Sequence, residues 1–135
     1  MRQMAAKSLV LAPFHGTSSR VVATVRRALE EMGITTFGLD NIAPGASWVN
    51  AITDAIKASD FIVVDITSPN PNVLYELGYA HAFRKPTLAI RSTKAKSPPP
   101  SDLTGMMYVV YDPNDLSSLK GQIQRAAQHY VGGKS

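Results

Sequence analysis

The chain has 135 residues, 44% hydrophobic and 18% charged, which fits one globular domain over residues 1–135 with a core of its own. It has no cysteine, which excludes disulfides, thiolate zinc sites and thiol catalysis, and no apolar run approaches the ~20 residues that span a bilayer. A net charge of +4, without aromatic residues set among the basic ones, does not describe a nucleic-acid channel, so neither nucleic acid nor membrane is expected as a partner.

Met1 to Lys7 is polar and does not read as a secretory signal, so a cytoplasmic location is the default expectation. Ser8 to Phe14 reads as a strand on Leu9, Val10 and Leu11. Val22, Val25, Leu29 and Met32 follow at helical spacing, and Gly33 sits where a C-terminal glycine cap belongs. Ile34 to Leu39 is a second strand. Ser47 is placed to cap a helix with Val49, Ile52, Ala55 and Ile56 on one side. Phe61 to Ile66 is a third strand, rich enough in Val and Ile to be covered on both faces. Pro69 and the Asn pairs stop it. Asn70 then caps a helix over Pro71 to Phe83, with Pro71 at its first position, and the helix ends before Pro86. Pro86 to Ile90 is a fourth strand. Ser92 to Thr104, with consecutive prolines from Pro98 to Pro100, is an exposed loop. Met107 to Tyr111 is a fifth strand. Asp112-Pro113 opens a last helix with Leu116, Leu119, Ile123 and Ala127 inward, ended by Gly132 and Gly133.

Strand and helix alternate with short links. That pattern predicts an α/β, three-layer flavodoxin-like (Rossmann-like) domain: a five-stranded parallel sheet in the order 2-1-3-4-5, helices on both faces. The switch point falls between strands one and three, and ligands bind there at the C-terminal strand ends. Those ends deliver Phe14-His15-Gly16, Asp40-Asn41, the segment from Asp65 to Asn72, and Arg91 to one crevice.

Glu76 carries the strongest functional signal. A carboxylate near a helix N-terminus is favourable for ordinary reasons. Yet Val73, Leu74, Leu77 and Ala80 make this helix apolar and buried, whereas Glu30 and Glu31, the other two glutamates, fall on an exposed face. His15, Gly16, Ser18 and Arg20 surround the start of the first helix, where N–H groups and hydroxyls hold phosphate. No GxGxxG or Walker motif is present, and the same residues also make a plain serine cap. Trp48 either staples its helix to the core or lines the pocket; Asp40 either ends a strand or bonds a ribose hydroxyl. His81 falls near the Leu74–Leu77 stripe and reads as a core or rim histidine, and His129 as a surface one. No two ligands stand at a metal-binding spacing.

Two segments together resemble one superfamily. Gly38-Leu39-Asp40 through Gly45-Ala46-Ser47-Trp48, with Ile52, Ala55-Ile56 and Ser59-Asp60, resembles the loop and second helix of Toll/interleukin-receptor (TIR) domains. Asp65-Ile66-Thr67 with Asn70-Pro71-Asn72-Val73-Leu74-Tyr75-Glu76-Leu77-Gly78-Tyr79-Ala80-His81 is similar to the matching segment of bacterial TIR-like and nucleoside 2-deoxyribosyltransferase-like proteins. The resemblance implies that Glu76 is the catalytic carboxylate acting at C1′ of a ribose. Members cleave the N-glycosidic bond of NAD, of nucleosides or of nucleoside monophosphates. It also implies a homo-oligomer, because sites in this superfamily are often completed by a neighbouring subunit. One departure stands out: deoxyribosyltransferases usually carry an aspartate where this chain has Asn70.

The chemistry points the same way. Breaking an N-glycosidic bond builds positive charge at C1′, which a carboxylate stabilises or traps. A neutral base leaves poorly without an acid, whereas nicotinamide leaves NAD from a cationic state and needs none. The expectation is therefore an N-glycosidase with NAD as substrate rather than cofactor, and no cofactor of its own. Glu76 is catalytic; Asp65, Asn70, Asn72 and Tyr75 shape the ribose site; His15, Gly16, Ser18 and Arg20 meet phosphate; Asp40 and Trp48 border the base. The alternatives are a 2-deoxyribosyltransferase or nucleoside monophosphate N-glycosidase, and a non-catalytic module that senses a nucleotide or assembles.

Overall fold

The computed structural model describes residues 6–12, 18–38, 48–68, 71–96 and 108–131. Within them run β1 (Lys7–Leu11), α1 (Ser18–Glu30), β2 (Thr35–Phe37), α2 (Trp48–Ala58), β3 (Phe61–Asp65), α3 (Pro71–Ala82), β4 (Thr87–Ser92), β5 (Tyr108–Tyr111) and α4 (Leu116–Val131). The strands form one sheet in the order β2-β1-β3-β4-β5, and every neighbouring pair is parallel. This is the predicted flavodoxin-like order. β3 lies at its centre and all five of its residues are buried.

Side chains alternate across a strand, so parity sorts the core into two halves. Val10, Phe61, Val63, Leu88, Ile90 and Tyr111 face α1 and α4, where Val21, Val25, Leu29, Leu119, Ile123 and Ala127 meet them. Leu9, Leu11, Ile62, Val64, Ile66 and Ala89 face α2 and α3, where Ile52, Ile56, Val73, Leu77 and Ala80 meet them. At about 25 cal/mol per Å² of apolar surface, burying any one of the larger side chains contributes roughly 1.5–3 kcal/mol.

Local chemistry sets the element ends. Gly33 closes α1 at φ 82, with its N–H on Glu30 O and the Ile34 N–H on Leu29 O, the two bonds of a Schellman cap. α3 ends in the same motif, but its left-handed position is Arg84, at φ 58. The Arg84 N–H reaches His81 O and the Lys85 N–H reaches Ala80 O.

Four details differ from the sequence reading. Val21 and Ala28 take the inner stripe of α1, while Val22 and Met32 sit at its margin. Adjacent valines leave the phase of a helical stripe open, and packing decides it. α4 begins at Leu116 rather than at Asp112-Pro113. The Asp112 side chain accepts the Asn114 N–H at 2.9 Å, making a turn that Pro113 suits, and the helix starts after Asp115. Leu74 is 41% exposed, and His81 is exposed rather than at the core or its rim. Both lie on one side of α3, at the exposed margin of its buried stripe. Pro13 and Phe14, Ser47, Asn70 and the Ser97 to Thr104 part of the loop fall outside the described residues.

Candidate active site

A parallel sheet sends the ends of β1, β3 and β4 to one edge, and α1 and α3 start from that edge. Glu76 stands in the second turn of α3. Its spacing from Val73, Leu77 and Ala80 is i+3, i−1 and i−4, so it occupies a core position on the helix. It is 4% exposed, yet among the described residues its carboxylate has no hydrogen bond or ion pair. Every fully enclosed side-chain nitrogen or oxygen among those residues does have a partner. The Glu76 oxygens are therefore not fully enclosed. Burial raises the acid from its ordinary 4.5 to about 7.

Asp65 is buried too, but on the other side of the sheet. It shares the parity of Phe61 and Val63 and so faces α1 and α4. Both of its oxygens are engaged: Oδ1 accepts the Thr67 N–H at 2.8 Å and Oδ2 accepts the Tyr111 hydroxyl at 2.7 Å. The Tyr111 phenol is raised well above its ordinary range, chiefly by burial; the hydrogen bond with Thr67 opposes the rise and the Asp65 carboxylate adds to it. It therefore stays protonated and donates. This structure gives Asp65 a bracing role at the strand ends and does not bring it to Glu76.

The other expected residues are placed as follows. Tyr75 is 56% exposed, a helical step away from Glu76, and leads an aromatic row. Its ring centroid is 6.4 Å from that of Tyr79, which is 4.9 Å from Phe83. Arg20 is exposed in the first turn of α1, at the shared edge. Arg91, on the α3 face, is buried and donates from Nη1 to Ile66 O at 3.4 Å. His15, Gly16, Asp40 and Asn70 lie outside the described residues, as do the side chains of Ser18, Trp48 and Asn72. Among the described residues no three His, Asp or Glu side chains come together as a metal site, and no helix is long and apolar enough to cross a membrane.

Sequence reasoning missed Thr67, Ser92 and Tyr111. A signal existed: Asp65 has the parity of core residues, and a buried carboxylate requires hydrogen-bond donors.

Comparisons with known proteins agree with this fold. The TIR domain of the Toll-related receptor TRR-2 from Hydra magnipapillata superposes with a TM-score of 0.69, with 21% identity over 93% of this chain and 99% of that one. The CMP N-glycosidase BcmB of Clostridium botulinum superposes at 0.63, with 19% identity over 86% of this chain and 97% of that one. A 2-deoxyribosyltransferase from Bacillus psychrosaccharolyticus also gives 0.63, with 17% identity over 85% and 90%. At these identities the likeness is one of fold. No curated protein matches the sequence. The family model of the TIR domain matches residues 14–124, from beyond β1 to the middle of α4, and the chain belongs to the TIR domain family.

Proposed function

We propose that the chain cleaves the N-glycosidic bond of a nucleotide, with NAD as the preferred substrate and Glu76 as the catalytic carboxylate. One observation carries this reading: a carboxylate in a core position of α3, without a partner among the described residues and not fully enclosed. A fold gains nothing from such a group, so its value lies in what it meets. The C1′–N bond breaks with its electron pair going to the nicotinamide nitrogen, which loses its positive charge. Positive charge develops over C1′ and the ring oxygen. Glu76 stabilises that charge or forms a bond to C1′. Water then adds at C1′ and gives up a proton, leaving nicotinamide and ADP-ribose.

The preference for NAD rests on the acids available. Among the described residues Asp65 and Glu76 are the only buried acids, and both Asp65 oxygens are already used on the opposite face. Nicotinamide needs no acid to leave. Its positive charge also favours the ionised form of Glu76, offsetting the rise that burial causes. Asn70, where deoxyribosyltransferases usually carry an aspartate, supports the same preference.

A second reading is hydrolysis of a nucleoside monophosphate, supported by the fold shared with the CMP N-glycosidase. There a neutral base leaves, and Glu76 would have to work with an acid from outside the described residues. The family resemblance also supports a working homo-oligomer, so assays should span a range of protein concentration.

The test is to incubate the protein and its Glu76→Ala variant with NAD, deoxynucleosides and monophosphates, following released base by chromatography. Nicotinamide release that disappears in the variant is the expected result. Release of a nucleobase from monophosphates alone selects the second reading. Release unchanged by Glu76→Ala refutes both.

A further inference from the structure

The bonds around Asp65 reach further than one buried carboxylate. Tyr111 lies on the edge strand β5, two strands from β3, which is roughly 9–10 Å across a sheet. Its phenol spans that gap and donates to Asp65 Oδ2. Asp65 Oδ1 in turn holds the Thr67 N–H, closing a turn where β3 ends. The last main-chain bond here runs from the Ile66 N–H to Ile90 O at 2.8 Å. One step on, the Thr67 hydroxyl accepts the Ser92 N–H at 2.9 Å, so a side chain continues the β3–β4 ladder. The Thr67 and Tyr111 hydroxyls are 3.4 Å apart. From the other face Arg91 donates to Ile66 O. Ile66 and Thr67 are thus gripped from both sides of the sheet.

That segment feeds α3. Among the described side chains α3 buries only Val73, Glu76, Leu77 and Ala80, a small apolar face for a helix that carries a buried acid. Its start is therefore set largely by the turn that leads into it. We propose that Tyr111 is a positioning residue: through Asp65 and Thr67 it fixes the turn at the end of β3, and with it the place of Glu76 on the opposite side of the sheet. The inference rests on the role of Glu76 given above. A brace that served the fold alone would cost stability when cut and leave the surroundings of Glu76 as they were.

Three glutamates, Glu30, Glu31 and Glu76, make the distinction measurable. Glutamate labelled with 13C at its side-chain carboxyl gives three signals, and Glu76→Gln assigns the one of interest. In Tyr111→Phe, folded by circular dichroism, the Glu76 midpoint is expected to fall by about half a pH unit or more as a loosened helix admits water. Nicotinamide release should lose about tenfold or more in kcat with KM within about twofold, because the acid is misplaced rather than the substrate released. A folded Tyr111→Phe protein whose Glu76 titrates at the wild-type midpoint overturns the proposal, whatever its turnover. If Tyr111→Phe does not fold, Thr67→Val and Thr67→Ser replace it. Valine should shift the midpoint and serine, which returns the hydroxyl, should restore it; identical wild-type midpoints in both overturn the proposal. The titration decides positioning even in a protein that releases no base, an outcome that counts against the proposed reaction alone.

Discussion

Replacing Glu76 with glutamine should stabilise the protein, and the gain should grow with pH. In the unfolded chain this acid titrates near 4.5, and in the folded chain burial raises it to about 7. Between those values the folded state holds a proton that the unfolded state has released. Stability therefore falls as pH rises through that window, the reverse of the usual carboxylate. At about 1.4 kcal/mol per tenfold change in proton affinity, the wild type loses about 2–3 kcal/mol between pH 5 and pH 8 from this group. Glutamine has no proton to lose, and the other titrating groups are common to both proteins. The difference between the two unfolding free energies should thus widen by about 2–3 kcal/mol in favour of Glu76→Gln over that range. Urea denaturation at each pH, followed by circular dichroism, measures it. A difference that stays flat from pH 5 to pH 8 would refute the claim that burial holds this acid near neutrality.

The same titration should shape turnover: kcat/KM for nicotinamide release should rise about tenfold per pH unit below about 7 and then level off, because the ionised form acts at C1′. A rate that falls across that range would mean that the protonated acid is the working form. Arg84→Gly should gain about 0.5–1 kcal/mol, seen as a higher melting temperature, because only glycine occupies a left-handed cap without steric cost. Phe61→Ala should lose about 3–5 kcal/mol in urea denaturation, since its ring is fully buried and stacks on Tyr130 at 5.0 Å.

The order of elements was legible because its punctuation is local. Gly33, Pro71 and Pro86 each mark an end that chain geometry enforces, and the run from Phe61 to Asp65 is too apolar for an edge. The position of Glu76 was legible for a related reason: Val73, Leu77 and Ala80 repeat at helical spacing around it. The Asp65 brace was not, because its donor, Tyr111, is 46 positions away on another strand. No local spacing encodes that pairing; it appears only when parity and strand order are combined. The phase of α1 and the exposure of Leu74 and His81 failed for a third reason. Neighbouring residues on a helix are about 100° apart, so a stripe can be misplaced by one position without its period changing.

The division of the core into two halves also sets an order of events at the ribosome. The half beneath α2 and α3 is complete once Ala89 has been made. The half beneath α1 also needs Leu119, Ile123 and Ala127 of α4, the last of its buried side chains to emerge. Since translation proceeds from the N-terminus, the side of the sheet that α1 and α4 share waits with α1 alone, while the other side is already backed. The nascent chain is then most exposed to sticking to its neighbours just before α4 appears. Premature termination within the last helix should consequently yield aggregates, with Glu76 and its helix already built.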